Sequence, residues 1–117
     1  MNILFQTPLF LIPVLSGLIF MIAGLIMYKF PPKRINSLYG YRTNSSMKNQ
    51  DRWDFAQKYA SVEMIKLGGL LALSGVLGLI IKTDKIVGMI LGLALMLLMI
   101  IMLFFRVEKA MKNKFKE

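Results

Sequence analysis

Long apolar stretches, separated by short polar ones, dominate the pattern of this chain. No charged residue occurs between Met1 and Tyr28, and a second uncharged run covers Ile86 to Phe105. That run has 20 residues and rises about 30 Å as a helix, the thickness of a hydrocarbon core. A third run, Leu67 to Ile81, has 15 residues and is marginal alone. Val62, Met64 and Ile65 extend it, and Lys66 can snorkel to the interface. The pattern predicts an all-α integral membrane fold with three transmembrane helices, at about 8–29, 62–81 and 86–105. One membrane domain, 1–117, then holds a polar loop at 30–61 and a polar tail at 106–117.

Local signals refine these elements. Pro8 opens the first span, and Pro13 either kinks it or sits in its first turn. Pro31 and Pro32 end it, because proline lacks the donor a helix needs and disfavours helical angles in the residue before it. Residues 33–49 are rich in turn formers and read as an ordered loop, with Gly40 free to adopt angles closed to other residues. Asn49 or Ser46 can cap a helix starting near Asp51. From there Trp53, Ala56, Ala60 and Met64 recur at helical spacing, which predicts an interfacial helix leading into the second span. Trp53 and Tyr59 suit the head-group layer. Glu63 and Lys66 are spaced for an i, i+3 pair. Ser74 with Gly78, and Gly88 with Gly92, allow close helix approach, within one chain or in a homo-oligomer.

Charge then sets an orientation. Seven basic residues lie in 29–61 and five in the tail, against two in Lys82–Lys85 and none before Lys29. The positive-inside rule puts the loop and tail in the cytoplasm and the amino terminus outside, in a multi-pass plasma-membrane protein. A cleaved signal peptide is disfavoured, since no basic region precedes the apolar run and no A-x-A site follows it. The net charge of +9 points to anionic lipid head groups rather than nucleic acid, because no recognition helix or base-stacking pattern accompanies it. Cysteine and histidine are absent, which excludes disulfides and removes the commonest metal ligands and general base. No metal-ligand spacing, phosphate loop or nucleophile–base pair appears, so no catalytic residue, metal or cofactor is expected.

The polar information is concentrated in the stretch NSLYGYRTNSSMKNQDRWDFAQKY. It resembles the signature of the SdpI/YfhL family of bacterial immunity-type membrane proteins: an asparagine, a Gly-x-Arg-Thr element, a Ser/Thr, an Asn-containing turn and a tryptophan between two hydrophobic spans. Asn36, Gly40, Arg42, Thr43, Ser46, Asn49 and Trp53 occupy the matching places, and the chain is similar to the short members of the family. The resemblance implies protection of a Gram-positive cell against a membrane-acting peptide toxin, and recruitment of a cytoplasmic transcriptional repressor. A non-catalytic lipid-binding or accessory role in an envelope complex is the alternative. Arg42 is the leading ligand candidate, since its guanidinium can grip a phosphate or carboxylate at two points. It can equally pair with Asp51 or Asp54 and pin the loop.

Overall fold

Three helices follow one another: α1 (Pro8–Lys29), α2 (Gln50–Leu77) and α3 (Lys85–Lys114). The structure, a computed structural model, describes residues 7–116, so the first six residues of the uncharged opening run and Glu117 lie outside the described residues. All three helices are long and apolar enough to cross a membrane. Each boundary has a local cause. Pro8 sits in the first turn of α1, where its missing N–H would have no partner anyway, whereas Pro13 lies inside the helix and is buried. Asn49 caps α2 by accepting from the Arg52 amide at 2.9 Å, and Asp84 caps α3 by accepting from the Val87 amide at 2.8 Å.

The interfacial segment runs into the second span as one uninterrupted helix of 28 residues, as the spacing predicts, and the helix ends at Leu77 rather than near residue 81. The polar tail is largely helical too, since α3 runs 30 residues to Lys114, about 45 Å in length. The tail is held by its own apolar pair, because Val107 and Met111 lie one turn apart and are fully buried.

Between the spans, small residues set the packing. A Cβ on Gly17 would lie 2.5 Å from the Gly68 carbonyl, and one on Gly68 would lie 2.7 Å from that of Gly17. Gly92 brings α3 against α1 less tightly, with a Cβ there 3.1 Å from Ile12 Cβ and 3.2 Å from the Pro8 carbonyl, and Gly88 stands at ordinary contact distance from Leu9. Lipid tails are as apolar as leucine, so close backbone contact rather than burial from water must hold such spans together. The outward faces are correspondingly greasy, with Ile19, Ile22, Leu73, Ile90 and Ile101 exposed. The buried cluster proper sits at the other end of the apolar spans from Leu9. There Met27, Tyr41, Ala56, Ala60, Val107 and Met111 gather the loop, the start of α2 and the end of α3.

Candidate functional site

The loop is fastened to α2 by two side chains that point back at it. Trp53 is fully buried, and its Nε1 donates to the Pro32 carbonyl at 2.7 Å. This corrects the reading of Trp53 as a head-group anchor: an indole with no exposed surface is part of the core. One turn on, buried Gln57 accepts from the Tyr41 amide at 2.6 Å and donates to the Tyr41 carbonyl at 2.7 Å. A single amide thus satisfies both backbone groups of one loop residue. The strand of loop can lie this close only because of Gly40, whose φ is +112°. A Cβ there would meet Gln57 Oε1 at 2.5 Å and Pro32 Cγ at 2.7 Å.

The next turn of the loop closes on itself and on α3. Ser46 Oγ accepts from the Thr43 amide at 2.9 Å, and Thr43 Oγ1 accepts from the Ser46 amide at 3.2 Å. Ser46 is therefore a buried turn residue, and the helix cap falls to Asn49. Glu108 of α3 accepts from the Tyr41 hydroxyl at 2.7 Å and from Thr43 Oγ1 at 3.0 Å. Burial, and then the neighbouring Glu108 carboxylate, push the Tyr41 phenol well above its usual range, so it remains a donor. Asn36 organises the loop's outer turn, accepting from the Leu38 and Tyr39 amides at 2.9 and 2.7 Å and donating to the Arg34 carbonyl.

Arg42 stands apart. Its guanidinium is exposed and donates to the Ser37 carbonyl, and among the described residues it forms no ion pair with Asp51 or Asp54. It borders a small cavity of about 280 Å³ with Gly40, Tyr41, Met27, Met64, Leu103 and Phe104. The arginine that does pin the loop is Arg52, which is buried, donates from Nε to the Ser45 carbonyl at 2.8 Å and lies over the Phe115 ring.

A larger opening lies between α2 and α3, a cleft of about 690 Å³. Its walls include Phe55, Tyr59, Val62 and Phe115, and its polar residues are Asp51, Asp54, Lys58, Glu63, Lys66, Arg106 and Lys114. Glu63 does not pair with Lys66 as its spacing suggests. It is buried, and its Oε1 accepts from Arg106 Nε at 2.6 Å, so the pair crosses between helices. Among the described residues no cluster of metal-ligating side chains occurs, and no buried side-chain polar atom lacks a partner.

Comparison with known proteins decides the family. Residues 33–107 match the SdpI/YfhL protein family, a stretch that runs from the loop through α2 and most of α3. The chain belongs to this family. A relative from Bacillus subtilis (strain 168), described as "Uncharacterized protein YfhL", is 37% identical over 99 residues, covering 85% of this chain and 84% of that protein. No solved structure gives a significant match. The resemblance read from the loop is thereby confirmed, and the chain is a multi-pass membrane protein of the SdpI/YfhL family.

Within the family signature, Thr43 and Ser46 form one hydrogen-bonded turn tied to Tyr41 and Glu108, Gly40 packs against Gln57 and Pro32, and Trp53 bonds the Pro32 carbonyl. Asn36 caps a local turn, Asn49 caps α2, and Arg42 faces outward. Sequence reasoning missed Gln57, Arg52, Glu108 and the partner of Glu63. For Gln57 a signal existed: it falls one turn after Trp53 on the same face, where a polar residue in a buried stripe implies a specific partner.

Proposed function

We propose that this protein is a membrane immunity protein that protects the cell envelope against a membrane-active peptide toxin, and that it acts by binding rather than by catalysis. Membership of the SdpI/YfhL family over residues 33–107 carries the reading. The loop supports it: its polar side chains are mostly engaged in holding its own backbone, which leaves a preformed surface rather than a reactive centre. On that surface Arg34, Leu38, Arg42 and Lys48 are exposed. This face is the contact for a partner, with a cytoplasmic regulator as the second binding role and Arg42 as its principal anion-gripping residue. The same face also suits the head groups of anionic lipids.

The test is survival. Cells lacking the gene should become sensitive to membrane-active peptides, and the wild-type protein should restore growth. Arg42→Lys keeps the charge but loses the two-point fork, so it should melt as wild type in detergent while protection falls. Unchanged protection would remove Arg42 from the contact, and a parallel loss of melting temperature would make it a structural residue. Failure of the wild-type protein to protect against any such peptide would overturn the immunity reading.

In this proposal the loop and tail are cytoplasmic and the amino terminus is outside, a reading supported by the bias of the basic residues. Because the chain has no cysteine, single cysteines report the orientation directly. In intact cells an impermeant maleimide should label Lys82→Cys and should reach Asn44→Cys only after lysis. The reverse pattern would invert the topology.

A further inference from the structure

We infer that the cleft between α2 and α3 is a binding site for an anionic phospholipid, whose phosphate is held by Lys58, Lys66 and Lys114 while its acyl chains run along the exposed apolar faces of the two helices. The inference stands independently of the immunity reading.

Depth is the first argument. Arg106 is the first charged residue after the 20-residue uncharged run of α3, and Glu63 and Lys66 are the last before the uncharged run of α2. The inter-helix pair Glu63–Arg106 therefore marks the level at which both helices pass from hydrocarbon to head groups. A cleft of about 690 Å³ opening at this level faces the phosphates of the adjoining leaflet rather than bulk water alone.

Charge is the second. Three carboxylates and four cations line the cleft, a net charge of +1. Glu63 is paired with Arg106, Asp54 accepts from the Gln50 side-chain amide at 2.8 Å, and Asp51 lies at the start of α2, where the helix dipole favours a carboxylate. Among the described residues no carboxylate is paired with Lys58, Lys66 or Lys114. Three ammonium groups thus border one opening, and Arg106, bonded to Glu63 through Nε, keeps its other guanidinium nitrogens available to a phosphate oxygen.

The walls give the third. Phe55 stacks on Tyr59 with ring centroids 5.6 Å apart and meets Phe115 edge-on at 5.8 Å. The Lys114 ammonium lies 4.9 Å from the Phe55 ring centre. An aromatic floor under a cationic rim fits a molecule that is itself anionic at one end and apolar at the other. A free phosphate would use the rim and leave the floor bare.

The experiment uses the full chain, purified in a phosphatidylcholine-containing detergent and examined by native mass spectrometry with added phosphatidylglycerol. Wild type should retain phosphatidylglycerol in clear preference to phosphatidylcholine. Each lysine near an anionic lipid surface contributes roughly a fivefold gain, so Lys58→Gln/Lys66→Gln/Lys114→Gln should lose about tenfold to a hundredfold in that preference. Lys33→Gln/Lys82→Gln/Lys85→Gln, which removes as much charge elsewhere, should retain it. Equal binding of the two lipids by wild type, or equal loss in both triple variants, would overturn the site. Competition by millimolar inorganic phosphate would assign the rim to a free anion and overturn the lipid. A measurement on the unaltered protein guards against a misfolded variant: photoactivatable phosphatidylglycerol in phosphatidylglycerol/phosphatidylcholine vesicles should crosslink to residues 55–62 and 106–115. Crosslinks confined to α1 would also sink the proposal.

Discussion

Replacing Trp53 with alanine should lower the stability of this protein by about 3–5 kcal/mol, the range for emptying a fully packed aromatic site. The indole has no exposed surface, and it fills the angle between α2 and the point where the chain leaves α1. Trp53→Phe separates the two parts of that role. It restores most of the volume but leaves the Pro32 carbonyl without its donor, which should cost about 1–3 kcal/mol. The measurement is a denaturation series on purified protein in detergent, with limited proteolysis of residues 33–49 as a second readout. A residue that merely anchored the helix in the head-group layer would tolerate alanine with little change in melting. A Trp53→Ala protein that melts with wild type and keeps its loop protected would therefore return the tryptophan to the interface.

Gly40→Val should come next, at about 2–4 kcal/mol, because backbone strain and overpacking act together. At a φ of +112° a β-branched residue is strained wherever it points, and here its Cβ would also collide with Gln57 Oε1 and Pro32 Cγ. Neither neighbour can yield cheaply, since Gln57 is bonded to both backbone groups of Tyr41 and proline is stiff. The control lies in α2. A Cβ added at Gly69 meets nothing within 4 Å, so Gly69→Ala should be neutral or slightly stabilising, as expected inside a helix. Equal melting of Gly40→Val and wild type would mean that the loop is not seated on α2 as described.

These two expectations reach function through the same contacts. The loop cannot change shape at Gly40 or Trp53 without releasing Tyr41, whose hydroxyl is held by Glu108 on α3. The signature residues are thus tied to both helices that line the cleft, and a disturbed loop should be felt there.

Much of this protein could be read from its sequence, and the reasons are local or one-dimensional. Apolar length is a property of the sequence alone, and an apolar run of 20 residues suits a bilayer crossing as a helix, which satisfies every backbone group within the segment itself. Helix caps are equally local: Asn49 acts on an amide three residues away. The positive φ of Gly40 belongs here as well, since glycine in a polar turn invites that region. What only the tertiary structure decided is the choice of partners. Glu63 had a lysine at helical spacing, yet it bonds Arg106, 43 residues away. Glu108 meets Tyr41 and Thr43 at separations of 67 and 65 residues. Trp53 looks interfacial in sequence because aromatic residues at a helix start usually are, and only the folding of residues 30–49 over α2 buries it. The tail is basic in sequence, and only its packing shows that Val107 and Met111 close the core. Such pairings depend on how far α3 slides and turns against α2, and that is set by the glycine contacts of the spans acting together.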